Sequence, residues 1–344
     1  MNGVNPYRQA FKVFGASKEF IEVRILNSSS GTVSGIFSAD DVGADALLRE
    51  ITRLNLSQFT VYQVLNSLSD KYVIGKRCNV LFPFARGTAK DADVQTLNYI
   101  MTDFDPVRPS HTSSTDAEKT AAKKRLLMFL AEMKSEGMIP AVVTDSGNGY
   151  NAYFRVDLPN LPENVKLIKD YNSVCHSKYS DNIVDFDRTV TNPSRLAKLP
   201  GTWAFKGADT PERPHRQSKI LMYQPSPQPI PKSLLAGYVQ KNSSLIHPPV
   251  RCNSASCNTP SGSGQTVLLQ NPEVYIQANG WSYRVKDCDK GRMYILDTCP
   301  FNPAHNNASA FILEFGDGKA MFKCHHNSCA DHNIHDLLTQ FPCK

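Results

Sequence analysis

Several features that would assign a chain to a familiar class are missing from these 344 residues. No apolar run approaches the roughly 20 residues that a membrane-spanning helix requires. The N-terminal segment "MNGVNPYRQAFKVFG" lacks the apolar core of a signal peptide. The G-x4-G-K-[ST] loop of nucleotide-driven motors is also absent. We therefore expect a cytoplasmic protein with no membrane contact and no motor of its own.

The composition leaves the class of partner open. Hydrophobic residues make up 41% of the chain and charged residues 20%, so a packed core is feasible and global disorder is not expected. The formal net charge of +6 is mildly basic. Such a charge is compatible with a polyanionic partner but does not by itself indicate one.

The nine cysteines are distributed unevenly along the chain. Two precede residue 250, and the others are Cys252, Cys257, Cys288, Cys299, Cys324, Cys329 and Cys343. In a reducing compartment such crowding favours metal binding over disulfide formation. The C-terminal part of the chain is therefore the first candidate for a metal site.

Patterns of both helix and strand predict an α+β fold. Alternating apolar residues on both sides of the turn-rich "NSSSG" predict a hairpin over 20–37. A capping box formed by Thr115 with Glu118, followed by an apolar stripe, predicts a helix over 115–136.

Changes in composition predict three parts. A stretch rich in Ser, Asn and Pro predicts a flexible linker over 236–267. We expect a larger domain over 1–235 before it and a small domain over 268–344 after it.

A strand-like run, "LNYIMTDFDP", ends in two carboxylates. Side chains alternate between the faces of a strand, so Asp103 and Asp105 point the same way. Neighbouring carboxylates repel each other unless a cation lies between them, and Mg²⁺ and Mn²⁺ prefer oxygen ligands. A solvated strand end also explains a D-x-D pair, and for this pair alone it is the stronger interpretation.

A second acidic run, "VDFDRTVTNPSRLAKLPGTW", shifts this balance. Asp185 and Asp187 again share one face of a short strand, and Arg195 and Lys198 follow closely. A third carboxylate beside the first pair would complete a two-metal site for phosphoryl transfer, and the cations would neutralise a triphosphate. The alternative for the two cations is an ordinary solvated basic surface.

A glycine turn, "SGNG" over 146–149, lies between the two acidic runs. Backbone N–H groups in such a turn can bind an anion, because no Cβ blocks its approach. A plain hairpin turn is the more frequent explanation of this motif alone. Its position between two acidic strand ends favours a role in nucleotide binding.

Taken in order, four segments resemble a known family. "YIMTDFDPVRPS", "TDSGNGYNAYF", "DFDRTVTNPSRLAKLPGTW" and "TPERPHR" closely resemble the archaeo-eukaryotic primase superfamily, in particular the primase–polymerase domains of phages and other mobile elements. The resemblance covers roughly residues 20–220. It implies a core with an RRM-like sheet that carries the metals, and primer synthesis on a single-stranded DNA template from NTPs or dNTPs. A separate replicative helicase is then the expected partner, because this chain has no motor loop.

The resemblance also implies roles for individual residues. Asp103, Asp105 and Asp187 would be the catalytic carboxylates that hold Mg²⁺ or Mn²⁺, with Asp185 as the alternative to Asp187. The implied nucleotide-binding residues are Ser146, Gly147, Gly149, Asn151, Arg195 and Lys198.

One position departs from the family pattern. The second motif normally ends in a histidine that contacts the nucleotide phosphates, and here that position is Asn151. An amide can donate a hydrogen bond but cannot carry a charge or pass a proton as histidine does. Our hypothesis is a functional but slower enzyme.

The C-terminal domain carries a predicted zinc site. The four candidate ligands are Cys299, His305, Cys324 and Cys329, with His326 and His332 in reserve. Two short-range pairs on either side of an apolar hairpin suit tetrahedral Zn²⁺. The alternative is free cysteines with ordinary surface histidines. Zinc held by four protein ligands would be structural, because no coordination position stays open.

The order Cys–His–Cys–Cys is similar to the zinc ribbon of bacterial-type primases, although the spacing here is looser. In those proteins the module helps to hold the single-stranded template. Candidate stacking platforms for bases are Trp281, Tyr283, Phe301 and Phe322.

Two other functions are compatible with the same residues. A non-catalytic subunit that binds single-stranded DNA or a replication origin would explain the change at Asn151. A two-metal nuclease would use the same carboxylates.

Overall fold

The computed structural model of this chain describes residues 5–246, 267–269, 271–288, 291–306, 309–316, 318–329 and 332–342. The chain divides into two units, Met1–Pro248 and Pro249–Lys344. Both units combine helices with antiparallel sheet, so the α+β prediction is confirmed. Within the described ranges, no helix has the length and apolar character needed to cross a bilayer.

The first unit contains two principal sheets and six α-helices among its described residues. Its strands are β1 (Phe20–Ser28), β2 (Gly31–Ser38), β3 (Val61–Val64), β4 (Ser67–Leu68), β5 (Val94–Pro106), β6 (Val142–Asp145), β7 (Tyr150–Pro159), β8 (Val184–Phe186), β9 (Leu196–Lys198), β10 (Trp203–Ala204), β11 (Arg216–Gln217) and β12 (Lys219–Tyr223). Its α-helices are α1 (Pro6–Gly15), α2 (Asp41–Arg53), α3 (Asp70–Val73), α4 (Asp116–Ser135), α5 (Pro162–Tyr179) and α6 (Lys232–Lys241).

Four strands form the first sheet, in the order β2-β1-β3-β9. The predicted hairpin is present as β1 and β2, which pair antiparallel from Phe20 opposite Ser38 to Ser28 opposite Gly31. Apolar side chains of this sheet pack against α1 and α2. Strand β9 lies at one edge of the sheet, which matters for the site because β9 carries Lys198.

The second sheet has the order β12-β6-β7-β5-β4, and β8 also pairs with β5. Helix α4 packs on it through Ala122, Leu126 and Phe129, whose ring lies 5.2 Å from that of Phe104 on β5. The predicted capping box at the start of α4 is confirmed, since Thr115 and Glu118 each accept a hydrogen bond from the other's N–H. This sheet provides the rigid support for the acidic residues.

The first unit extends past the boundary predicted at residue 235. Helix α6 runs across that boundary, and Leu235, Tyr238 and Val239 are buried against the second sheet and its helices. The sequence hides this apolar face, because the short helix lies between a proline-rich stretch and a polar run. The remainder of the predicted linker, 247–266, lies outside the described residues.

The second unit is built on a five-stranded antiparallel sheet in the order β13-β17-β16-β15-β14. Its elements are β13 (Val267–Leu268), α7 (Pro272–Ala278), β14 (Tyr283–Cys288), β15 (Gly291–Leu296), β16 (Ala310–Phe315), β17 (Lys319–Cys324) and α8 (Ile334–Gln340). The four aromatic side chains predicted to stack on bases belong to the hydrophobic core of this unit instead. Phe322 is buried, and Trp281, Tyr283 and Phe301 pack against the same cluster because a unit of this size needs its large side chains inside.

Candidate active site and metal centre

The end of β5 presents two carboxylates on one face. Thr102 and Phe104 are fully buried, whereas Asp103 and Asp105 are partly exposed, as strand alternation predicts. The buried side chain of Phe104 packs on the opposite face of the strand, with its ring 5.1 Å from that of Phe186 on β8. The two acids are thereby fixed side by side at an accessible surface of the second sheet.

Strand β8 brings the second acidic pair to the same place. Asp185 lies opposite Asp105 in the β5–β8 pairing, and the N–H of Asp187 donates to the carbonyl of Asp103 at 3.0 Å. Asp187 follows the end of β8, and its Oδ1 accepts hydrogen bonds from the N–H and hydroxyl of Thr189. The predicted convergence of the two acidic runs is therefore present in the fold.

The two members of the second pair have different surroundings. The carboxylate of Asp185 accepts a hydrogen bond from the Ser180 hydroxyl at 3.1 Å and lies 3.8 Å from Nδ1 of His176, both on or next to α5. Burial raises the pKa of Asp185, and the charges of Asp187 and Asp105 add to this rise. Asp187 has no such partner on α5. This difference favours Asp187 as the third carboxylate.

The pKa values of Asp103 and Asp105, the first pair, are shifted in opposite directions. Burial, together with the negative charges of Asp105 and Asp187, raises the pKa of Asp103 to about 8. Burial acts in the same direction on Asp105, but Arg108 and Lys206 hold the pKa of that carboxyl below its usual range. Arg108 donates to Oδ2 of Asp105 at 3.2 Å. Carboxylates that oppose one another's ionisation fit a divalent cation, which would relieve the repulsion.

Two cationic side chains lie near the carboxylates: Lys198 on β9 of the first sheet, and Arg195 just before it. Lys198 on β9 donates to the carbonyl of Ser146 at 2.6 Å, and burial lowers the pKa of Lys198 to about 8. Arg195 donates from Nη2 to the carbonyl of Thr189, and its Nε is buried without a partner among the described residues. Burial lowers the pKa of Arg195, while the charges of Asp187 and Asp103 oppose this. Both cations therefore lie close enough to the acidic cluster for its charges to raise their pKa values.

Lys206 is a further cation that the sequence analysis missed. It follows β10, is exposed, and lowers the pKa values of both Asp103 and Asp105 through its charge. Its carbonyl accepts a hydrogen bond from the Ser113 hydroxyl at 3.1 Å, which ties this loop to the start of α4. The only sequence signal was a lysine soon after "LPGTW".

The glycine turn differs from the expected anion cradle. The N–H of Ser146 donates to the carbonyl of Gly149, that of Gly147 to Oδ1 of Asp145, and that of Gly149 to the Ser146 hydroxyl. These three N–H groups are therefore engaged within the turn and its flanks. The expectation that they point at a phosphate is wrong for this conformation.

Close packing explains the two glycines instead. A Cβ on Gly149 would lie 2.3 Å from the carbonyl oxygen of Phe104 and 2.5 Å from Oδ1 of Asp105. Gly147 has a φ of +92°, which side chains rarely adopt, and a Cβ there would lie 2.7 Å from that of Ala204. The turn thus presses against the acidic strand and helps to fix Asp105.

Asn151 occupies a position that the resemblance did not imply. It lies on β7 opposite Asp103, it is 3% exposed, and its Nδ2 donates to Oδ1 of Asp103 at 2.7 Å. Its own Oδ1 accepts from the Thr144 hydroxyl at 3.5 Å. The amide is therefore a positioning group for a carboxylate.

The predicted zinc ligands converge in the second unit. Cys299, His305, Cys324 and Cys329 are all buried, and their ligand atoms lie within 4.8 Å of one another. The Sγ atoms of Cys299 and Cys329 are 3.8 Å apart, and His305 Nδ1 lies 3.3 Å from the Sγ of Cys329. A tetrahedral zinc with Zn–S bonds of about 2.3 Å separates its sulfur ligands by about 3.8 Å. The group could therefore hold Zn²⁺. Among the described residues of the first unit, no carboxylates form so tight a group.

The surroundings of the cluster orient its histidine. Nε2 of His305 lies 3.2 Å from the Ser328 hydroxyl, which can accept a hydrogen bond from Nε2–H and leave Nδ1 for a metal. His326 stacks on His305 at 3.8 Å between ring centroids, and His332 stacks on Phe301 at 3.9 Å. The two reserve histidines thus lie outside the group of four, and they pack around it.

Comparisons with known proteins add only distant likenesses. No protein-family model matches the chain, and no curated protein matches it. A solved structure of primase RepB' is similar at 15% identity and a TM-score of 0.38, over 70% of this chain and 63% of that chain. The catalytic domain of primase RepB' in complex with initiator DNA gives 15% identity and a TM-score of 0.38, over 71% and 96%.

A third similar structure is the polymerase domain of ligase D from Mycobacterium tuberculosis in complex with DNA. It gives 11% identity and a TM-score of 0.36, over 69% of this chain and 88% of that chain. At TM-scores of this size the likenesses carry no argument about function.

Proposed function

We propose that this protein is a nucleotidyltransferase of the primase–polymerase type, which adds nucleotides to a primer on single-stranded DNA. One observation carries the proposal: Asp103, Asp105 and Asp187 meet at the end of β5 and β8, and Lys198 approaches them from the other sheet. Opposed carboxylates with cations around them suit a divalent metal with a bound triphosphate. The order of the sequence motifs, which resembles the archaeo-eukaryotic primase superfamily, supports the same function.

The carboxylates would hold Mg²⁺ or Mn²⁺. When bound, the metal would supply neutralisation of the triphosphate and activation of the primer hydroxyl. In the reaction, the primer 3′-oxygen forms a bond to the α-phosphorus of an incoming NTP or dNTP, and the bond from that phosphorus to pyrophosphate breaks. Asn151 keeps the Asp103 carboxylate in one orientation through its 2.7 Å hydrogen bond.

The cations have a defined task in this proposal. Lys198 and Lys206 lower the pKa of Asp105 through their charges, and the charges of Asp187 and Asp103 act on Arg195. Arg195 keeps one buried N–H donor without a partner in the described part of the chain. Phosphate oxygens are the acceptors that such donors fit. We assign the triphosphate to these side chains rather than to the backbone of the 146–149 turn.

The second unit would act as a zinc-stabilised accessory module. Four protein ligands leave no open coordination position, so the zinc is structural. Within this proposal the small domain contributes to template binding, and a separate replicative helicase opens the duplex. Replication of a phage or another mobile element is the proposed setting.

Primer synthesis on single-stranded DNA tests the proposal. The purified chain is incubated with labelled NTPs or dNTPs and Mg²⁺ or Mn²⁺, and the products are separated by size. A polymerase yields labelled product that is lost in Asp103→Ala with Asp105→Ala. A nuclease degrades the template instead. A non-catalytic binding subunit does neither, and either of these results would overturn the proposal.

A further inference from the structure

The segment 71–90 is a cationic surface with exposed aromatic rings. It contains Lys71, Lys76, Arg77, Arg86 and Lys90 but no Asp or Glu. All five cationic side chains belong to exposed residues. In the described part of the chain no carboxylate lies within 4.0 Å of their charged groups. Lys76 already contacts the Tyr72 ring, with its Nζ 3.0 Å from the ring centroid. The charges of the other four are available to an external anion.

The segment has a fixed shape on the outer edge of β2. Ser34 and Phe82 exchange two backbone hydrogen bonds, and the N–H of Asn79 donates to the carbonyl of Ile36. The contact is close, because a Cβ on Gly35 would lie 2.1 Å from the carbonyl oxygen of Val80. The surface is thus part of the folded first sheet.

Two phenylalanines face solvent on this surface. Phe82 is 43% exposed and Phe84 is 69% exposed. Phe84 also has a φ of +51°, a conformation that is unfavourable for a bulky residue and usually reserved for glycine or asparagine. Burial therefore does not account for phenylalanine at this position. Unfavourable backbone conformations of this kind cluster at binding sites.

A cavity of about 270 Å³ lies between the segment and β2. Lys76, Arg77, Arg86 and Phe82 line it. At its base, the Glu22 carboxylate is already bonded by Arg24, by the Tyr72 hydroxyl and by the N–H of Ala89. The one acidic group in the lining is thus neutralised from within, and the cavity presents cations and ring faces.

We propose that segment 71–90 is a binding surface for single-stranded DNA. Lysine and arginine bind backbone phosphates, and exposed aromatic rings stack on unpaired bases. A duplex would satisfy the cations but would offer no free base face to Phe82 and Phe84. The choice of DNA as the polyanion rests on the proposed function, whereas the cations and rings are independent of it.

The two exposed rings lie at the opposite edge of the first sheet from Lys198. The strand order places β2 and β9 at opposite edges, and neighbouring strands are about 4.8 Å apart. The part of the segment that pairs with β2, 78–84, is therefore some 15–20 Å from β9 by strand count alone. Tyr72, Val73 and Ala89, near the two ends of the segment, instead pack in one cluster with Leu196 of β9. The rings of Phe82 and Phe84 are thus distant from the carboxylates, and they would hold the template several nucleotides away from the point of synthesis.

Fluorescence anisotropy with a labelled oligo-dT tests this inference on the full chain, without nucleotides or divalent cations. Lys76→Glu with Arg77→Glu and Arg86→Glu should weaken binding at least tenfold. It should also reduce the slope of log affinity against log salt by about 2, since each lost phosphate contact on a single strand removes about 0.7. Phe82→Ala with Phe84→Ala should weaken binding about fivefold for each stacked base.

Matched control variants come from helix α4, where the side chains are equally exposed. Lys123→Glu with Lys124→Glu and Lys134→Glu makes the same change in net charge, and Leu127→Ala with Met128→Ala removes exposed apolar area. Each should change the affinity less than twofold. Equal effects in the controls and in the segment variants would overturn the inference.

Crosslinking of the unaltered chain provides a test that does not depend on variant folding. An oligonucleotide with photoreactive bromodeoxyuridine should crosslink to peptides that contain Phe82 or Phe84. Crosslinks confined to peptides outside 71–90, or full displacement of the oligonucleotide by an equal amount of duplex, would overturn the inference. Because no primer is made in these experiments, their failure is separable from a failure of the proposed function.

Discussion

Asn151 donates a hydrogen bond from Nδ2 to Oδ1 of Asp103 at 2.7 Å, across the pairing of β7 with β5. This relationship replaces the interpretation of Asn151 as a weakened phosphate contact. The amide is buried and holds the carboxylate whose pKa is most strongly raised in the acidic cluster. It acts on the site through Asp103.

Asn151→Ala should therefore leave the Asp103 carboxylate without its hydrogen-bond donor and slow nucleotide addition. We expect a rate of nucleotide addition lowered at least tenfold and a higher Mg²⁺ concentration for half-maximal activity, because a hydrogen bond to a charged group contributes about 1.5–3 kcal/mol. The measurement is primer extension over a metal titration. Asn151→His should not raise the rate, since the larger ring has to enter a buried position; a faster variant would restore the phosphate-contact hypothesis.

Gly149→Ala should displace Asp105. The added Cβ would lie 2.3 Å from the carbonyl oxygen of Phe104 and 2.5 Å from Oδ1 of Asp105, so the acidic strand or the turn has to move. We expect primer extension to fall by more than tenfold while the far-UV circular dichroism is retained. The matched control is Gly237→Ala on α6, where nothing lies within 4 Å of the added atom. Equal activity of the two variants would contradict this role of the turn.

The C-terminal cluster should bind one zinc ion per chain. Elemental analysis by mass spectrometry should detect this ion in the purified protein, and Cys299→Ser or Cys329→Ser should lose it, because both thiol groups are buried within the group of four. His326→Ala should retain it, since this histidine stacks on the cluster from outside. Chelation should unfold the second unit. Retention of zinc by both cysteine variants would contradict the assignment.

Lys18 should give the first unit a measurable pH dependence. Burial lowers the pKa of Lys18 to about 7, and its Nζ donates to the carbonyl of Leu65 at 3.0 Å. The unfolded lysine keeps its proton up to about pH 10.4, so between pH 7 and 10 the unfolded state binds more protons than the folded state. Stability should therefore rise with pH across this window, by at most about 1.4 kcal/mol per pH unit from this group.

Urea unfolding at pH 7, 8 and 9 measures the Lys18 contribution as a difference. Lys18→Met removes the titrating group and keeps most of the side-chain volume, so the variant should show a smaller rise in midpoint than the unaltered chain. An identical pH dependence in the two proteins would show that Lys18 keeps an ordinary pKa.

Local signals were sufficient for much of this fold. The capping box of Thr115 and Glu118 and the alternation around Asp103 and Asp105 depend on neighbours in the chain, and the structure has both. The four residues that could hold zinc were predictable because their two pairs have short spacings on either side of a hairpin.

Other features depend on contacts between distant segments. The partner of Asn151 lies 48 residues away and is determined by the register of β5 with β7, which a single sequence does not reveal. Similarly, the donors of the 146–149 turn were assigned to a phosphate because the Asp145 and Ser146 side chains could not be seen to occupy them. Lys206 could not be predicted from the sequence. Its effect on the pKa values of Asp103 and Asp105 depends on the packing of a loop about 100 residues further along the chain.

The rate of single-nucleotide addition to a primed single-stranded template tests the central claim most directly, with Asp187→Asn compared against Asp185→Asn. Both variants remove one negative charge, but Asp185 is held by Ser180 and lies next to His176, whereas Asp187 faces Asp103. We expect that Asp187→Asn, like Asp103→Asn, abolishes nucleotide addition and that Asp185→Asn retains a substantial fraction of it. Unimpaired addition by Asp103→Asn and Asp187→Asn would contradict the claim that these carboxylates form the active site.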